Sequence, residues 1–80
     1  SVYFEHGTIH VYPNPTHGTI FIQSNNFSID KILIYNQLGQ LVFTSNDTGN
    51  TLDISLLPKG LYTVMVQSKS ELLKQLVILE

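Results

Sequence analysis

Short runs of β-branched and aromatic residues recur along this chain about every ten residues, and this rhythm constrains the fold more than any other feature. Each run is bounded by Gly, Pro, Asn, Asp or Ser, which interrupt regular structure. Val, Ile, Thr, Tyr and Phe supply 29 of the 80 residues and Ala is absent, a bias that favours strands. The pattern predicts an all-β, antiparallel β-sandwich or small barrel of about seven strands.

The predicted strands are short and most of them alternate between apolar and polar residues. The last of them competes with a short helix, because residues 71–75 are fair helix formers, but Val77 and Ile78 favour a strand. We place the strands at residues 8–12, 19–24, 31–35, 40–45, 51–56, 61–68 and 72–79.

Three segments carry finer predictions. Residues 31–35 are apolar on both faces, which indicates a central strand covered on both sides. Gly39 is suited to the positive φ of a hairpin between this strand and the next. In residues 51–56 we expect the apolar positions to face the core together: Leu52, Ile54 and Leu56.

Size, charge and cysteine content exclude several classes of protein. Eighty residues form one small domain, residues 1–80. The net charge of −2 and the absence of Arg disfavour nucleic acid as a partner. Without Cys, the chain offers no disulfide, thiolate metal site or cysteine nucleophile. Its apolar runs are far shorter than the roughly 20 residues of a transmembrane helix, so we predict no transmembrane span.

The first residues do not form a secretory signal peptide, because they lack a basic segment followed by an apolar one. If the chain is exported, we expect its signal peptide to lie upstream. Because there is no initiator Met, we expect the chain to be a fragment or the tail of a longer protein.

Residues that could carry chemistry are present but poorly arranged. His6, His10 and His17 are metal candidates, yet on one strand the first two would be about 13 Å apart. The segment 46–53 has the oxygen-rich composition of a calcium loop without its spacing or its closing Glu. We therefore predict solvated side chains and no metal or cofactor.

Enzymatic activity is not indicated either. Ser55 and Asp53 would need a distant histidine, and they share one strand face without a Gly-rich elbow. Two short Asn-linked glycosylation patterns, at 26–28 and 46–48, are too common to carry weight.

The turn motifs, taken in order, are more specific. The chain contains Tyr-Pro-Asn-Pro-Thr-His-Gly at 12–18, Tyr-Asn-Gln-Leu-Gly-Gln at 35–40, Leu-Pro-Lys-Gly-Leu-Tyr at 57–62 and Lys-Gln-Leu-Val-Ile at 74–78. In this order and spacing, over about residues 9–79, they resemble the C-terminal sorting domain of the type IX (Por) secretion system, type A branch.

The resemblance implies a seven-stranded, immunoglobulin-like sandwich at the C-terminus of cargo proteins of Bacteroidota. Such a domain is a secretion signal and is not itself an enzyme. Its partners are the outer-membrane type IX translocon, a sortase, and an upstream cargo domain in the same chain. The resemblance implies transit through the periplasm, followed by a location at the outer membrane and cell surface or secretion from the cell.

Most positions of this chain that match the family motif are residues that shape the backbone. Prolines restrict φ, glycines permit unusual φ, and Tyr62 after the Leu-Pro-Lys-Gly corner is placed for a tyrosine corner as well as for an ordinary core position. The matching positions are Pro13, Asn14, Pro15, Gly18, Gly39, Pro58, Gly60, Tyr62 and Lys74.

Three other interpretations remain open at this level. One is an immunoglobulin-like adhesion or carbohydrate-binding module, with Tyr3, Phe4 and Tyr12 as its stacking platform. A second is a spacer domain of a surface enzyme. Within the sorting hypothesis, the apolar terminal strand at 72–79 could be the docking edge for the translocon or a site of self-association.

Overall fold

A computed structural model describes residues 7–25, 28–46, 49–69 and 71–80 of the chain. Every regular element in these residues is a β-strand, and the part of the chain described contains no helix that could cross a membrane. The strands are β1 Thr8–Tyr12, β2 Thr19–Asn25, β3 Lys31–Tyr35, β4 Leu41–Ser45, β5 Thr51–Asp53, β6 Gly60–Gln67 and β7 Leu72–Leu79.

The strands form two antiparallel sheets that pack face to face. The first sheet has the order β1-β2-β5 and the second has the order β4-β3-β6-β7. This division follows the immunoglobulin-like arrangement, with β4 added beside β3 in the second sheet. The all-β sandwich is therefore confirmed, and so is the strand at residues 72–79.

The core lies between the sheets and is built by the period-two alternation of the strands. Four isoleucines are at most 1% exposed: Ile20 and Ile22 of β2 and Ile32 and Ile34 of β3. Phe21, which lies between Ile20 and Ile22 along β2, points outward. The buried apolar residues are Val11, Ile20, Ile22, Ile29, Ile32, Ile34, Leu52, Ile54, Tyr62, Val64, Val66, Val77 and Leu79.

Two of the finer predictions need correction. The strand predicted at 51–56 ends at Asp53, because Leu57 N donates to Ile54 O at 3.0 Å and closes a turn. The alternation stops there, so Leu56 is 98% exposed and the prediction that it faces the core is wrong. β3 is central in its sheet as predicted, but Leu33 and Tyr35 on its outer face are only half-buried.

Candidate functional site

Turns that are far apart in sequence meet at one end of the sandwich. In the first sheet Thr19 at the start of β2 pairs with Asp53 at the end of β5. In the second sheet Gly60 at the start of β6 pairs with Leu79 at the end of β7. We call this the motif end, formed by residues 12–18, 36–40, 54–60 and 79–80.

Asn14 connects the first turn to the C-terminal strand. Its side-chain nitrogen donates to the carbonyl of Leu76 at 3.0 Å, and its side-chain oxygen accepts from the amide of Ile78 at 2.9 Å. The side chain thus takes the place of a neighbouring strand along the open edge of β7. Pro13 and Pro15 flank it, and both X–Pro bonds are cis.

Thr16 extends this contact with its backbone. Its amide donates to Ile78 O at 2.8 Å, and its carbonyl accepts from Glu80 N at 2.9 Å. Its hydroxyl donates to Thr19 O at 2.6 Å and accepts from Gly18 N at 3.2 Å. Thr16 is buried and is not one of the nine motif residues, although a Thr two residues before a Gly is typical of a turn closed by its hydroxyl.

β7 makes the corresponding contact to β1, which runs parallel to it. The side-chain amide of Gln75 accepts from Val11 N at 2.9 Å and donates to Val11 O at 2.8 Å. At the other end of the sandwich the Glu71 carboxylate accepts from Gly7 N at 3.0 Å. Sequence analysis gave neither side chain a role. The available signal was the position of Gln75 on the inward face of β7, with Glu71 directly before that strand, since inward polar groups need partners.

Two further turns of the motif end are held by short-range hydrogen bonds. Gly39 has φ +81°, the left-handed region that a side chain disfavours, which confirms its hairpin position. The side-chain oxygen of Asn36 accepts from the amides of Leu38 and Gln40 at 2.9 and 3.0 Å. At the other turn the Tyr62 hydroxyl donates to Pro58 O, and the predicted tyrosine corner is confirmed.

Gly18 is required for a close approach between two chain segments. A Cβ at this position would lie 2.8 Å from the Cβ of Ser55, nearer than side-chain atoms normally come. The contact lets Ile54 N donate to Gly18 O at 2.7 Å, which joins the first turn to the chain after β5.

Eight of the nine motif residues therefore come together at the motif end: Pro13, Asn14, Pro15, Gly18, Gly39, Pro58, Gly60 and Tyr62. Lys74 lies elsewhere. It is exposed on the outer face of β7, opposite Met65 of β6.

The metal candidates that the structure describes, His10 and His17, have separate contacts. His10 stacks on Tyr12, and the Nδ1 atom of His17 lies 3.2 Å from Glu80 O. Among the residues that the structure describes, no three His, Cys, Asp or Glu side chains are grouped to hold an ion. His6, Asp47 and most of the two glycosylation patterns fall outside those residues.

Ser55 and Asp53 interact as a turn. Hydrogen bonds from the Ser55 hydroxyl and then from its amide, the latter at 2.9 Å, lower the pKa of the Asp53 carboxyl. The carboxylate is thus already occupied by local donors.

The aromatic platform of the carbohydrate-binding hypothesis is present only in part. Tyr3 and Phe4 lie outside the described residues, and Tyr12 is 41% exposed. The Tyr12 ring stacks with His10 and Phe21 at centroid distances of 5.2 and 5.5 Å. These contacts use ring faces that a sugar would need, which counts against a stacking platform.

The chain matches the model of a known protein family. No curated protein matches the chain. The family model described as the secretion system C-terminal sorting domain matches residues 10–80, which include every turn of the motif end. Together with the seven-stranded sandwich and the convergence of the motifs, this match shows that the chain belongs to the family of C-terminal sorting domains of type IX secretion.

Proposed function

We propose that residues 1–80 form one domain that directs an upstream cargo protein through the outer-membrane type IX translocon, for surface attachment or release, and that catalyses nothing itself. The observation that carries this proposal is the attachment of the family motif to the C-terminal strand. Asn14 and Thr16 contact the backbone of residues 76–80 directly. The motif thereby attaches β7 to the first turn.

The first and last residues that the structure describes lie at opposite ends of the sandwich. Gly7 contacts Glu71 just before β7, whereas Glu80 follows β7 at the motif end. The nine residue steps from Glu71 to Glu80 span about 30 Å at roughly 3.3 Å per residue. A cargo protein joined before Gly7 would leave β7 and the motif end accessible to the translocon after passage through the periplasm.

In this proposal most motif residues are positioning residues. Gly18 and Tyr62 shape or anchor turns, and their loss would impair export by loosening the fold. The translocon would read the folded surface, and the sortase would act at or before the start of the domain. Residues for those contacts must be sought on the exposed faces.

The test is export of a reporter. Residues 1–80 are fused behind a periplasmic fluorescent protein in a bacterium that carries the type IX system and in a strain that lacks the translocon. We expect delivery to the surface or medium in the first strain only. The reporter without the domain is the control for leakage.

Retention of an intact, protease-resistant fusion in the periplasm of both strains would contradict the proposal. In that case a binding or spacer role would take its place, and a glycan array with the purified domain would separate those two roles.

A further inference from the structure

The outer face of the second sheet carries apolar side chains that nothing in the described chain covers. The inward residues of β3, β6 and β7 fill the core, so the alternate residues of these strands face outward. We call this surface the Lys74 face; its residues are Lys31, Leu33, Tyr35, Leu61, Thr63, Met65, Leu72, Lys74, Leu76 and Ile78.

The apolar part of this face is exposed to an unusual degree. On β7 Leu72 is 62% exposed, Leu76 56% and Ile78 44%. Ile78 and Leu76 adjoin half-buried side chains of β6, because Ile78 pairs with Leu61 and Leu76 with Thr63, whereas Leu72 pairs with the exposed Gln67. A contiguous apolar surface on a small domain marks a site of interaction.

The charges on this face are all of one sign. The chain as a whole carries −2, yet the described residues of the Lys74 face include two lysines and no carboxylate. Lys74 lies between Leu72 and Leu76 along β7 and is paired with Met65 of β6, so its charged side chain is exposed among adjacent positions that are apolar. Burial against a partner would leave that charge costly unless the partner supplies an opposite one.

We propose that the Lys74 face is the docking surface for a component of the type IX translocon, and that this partner presents an apolar patch with a carboxylate opposite Lys74. The inference rests on the sorting function proposed above and names the surface that function uses. A second copy of the chain is a poorer occupant, because a two-fold face-to-face dimer would pack two faces that carry only positive charges against each other.

The edge of β7 is also a poorer docking site than its face. Addition of a partner strand needs free backbone groups along the edge. Asn14 and Thr16 already occupy the backbone of Leu76, Ile78 and Glu80 there. Recognition through side chains of the face leaves these hydrogen bonds in place.

Site-specific photocrosslinking tests the inference in the exporting strain. A benzophenone amino acid replaces Leu76 on the Lys74 face in one reporter fusion and Phe21 in another. Phe21 is a matched control because it is also apolar and exposed, at 38%, but lies on the opposite sheet. We expect a crosslink from position 76 to a protein identified by mass spectrometry as an outer-membrane translocon component, and none from position 21.

Charge variants give a second readout. Lys74→Glu should lower export of the fusion about tenfold or more, whereas Lys74→Arg and the exposed control Lys69→Glu should export like the unaltered fusion. The urea midpoints of the purified variants must match, which excludes a loss through misfolding.

The outcomes separate the two proposals. If the unaltered fusion is exported but the crosslink comes only from position 21 or from neither position, the Lys74 face is not the docking surface and the sorting function stands. Normal export of Lys74→Glu overturns the inference in the same way. If the unaltered fusion is itself not exported, the sorting function fails and the inference fails with it.

Discussion

Asn14 and Gln75 form reciprocal amide bridges between the first and last strands. Asn14, just after β1, pairs with the backbone of β7, and Gln75 within β7 pairs with the backbone of β1. Each side chain both donates and accepts, so each substitutes for one step of a β-ladder between strands that share no sheet. The C-terminal strand is thus held at a seam between positions that are 64 residues apart in the sequence.

Removal of the Gln75 amide should be the costlier change at this seam. Val11 is buried, so Gln75→Ala would leave its amide and carbonyl without partners, and we expect the free energy of unfolding to fall by about 1–3 kcal/mol. Urea denaturation followed by far-ultraviolet circular dichroism measures this. Gln23→Ala on the outer face of β2 is the control, with an expected change below about 0.5 kcal/mol.

Asn14→Ala should cost less, about 1 kcal/mol, because Asn14 is exposed and water can replace its hydrogen bonds. A double-mutant cycle of Asn14→Ala and Gln75→Ala measures whether the two bridges cooperate. The losses in the free energy of unfolding are rarely additive for groups that hold one seam. A loss for Asn14→Ala that exceeds the loss for Gln75→Ala would contradict this account of the seam.

Gly18→Ala tests the contact between the first turn and the chain after β5. Because the new Cβ would meet the Ser55 Cβ at 2.8 Å, we expect a loss of about 1–3 kcal/mol in the free energy of unfolding. The double variant Gly18→Ala with Ser55→Gly removes the clashing atom. It should lose less stability than the two single changes added together, and strict additivity would mean that the contact does not limit packing.

Tyr62→Phe removes the hydroxyl that donates to Pro58 O and keeps the buried ring. The expected loss is about 0.5–1.5 kcal/mol, the usual net value of one hydrogen bond. Tyr35→Phe is the matched control, because that ring is half-buried on the outer face of β3. Equal effects of the two substitutions would argue against a tyrosine corner that stabilises the fold.

The Asp53 carboxyl provides a test by pH. The Ser55 hydroxyl and amide lower its pKa in the folded state, so this contribution to stability is present above the ordinary pKa of Asp and is lost as the pH falls through the lowered value. Ser55→Ala should raise the pKa towards its ordinary value, measured by NMR titration of the carboxyl carbon. The control Ser28→Ala should leave that titration unchanged.

The strands could be located from the sequence because their signals are local. Alternation in residues 61–67 and the breaks at Pro13, Gly39 and Gly60 depend on neighbouring residues alone, and all seven strands lie within a few residues of their predicted positions. Leu56 shows the limit of this reasoning. The pattern continued through it, but a turn closed by Leu57 N and Ile54 O had already ended the strand.

The sequence patterns could not predict which distant residues contact each other in the fold. Gln75 and Glu71 each bind a partner 64 residues away, and the backbone of Thr16 binds partners 62 and 64 residues away. The period-two alternation of a strand carries no information about such distant pairs. Likewise, the apolar residues of β7 could be read from the sequence, but the position of Lys74 among exposed apolar side chains depends on the β6–β7 register and on the face of the sheet that no described residue covers. Local residue propensity specifies where the strands form. The packing of the two sheets decides which distant side chains come into contact at the motif end and along β7.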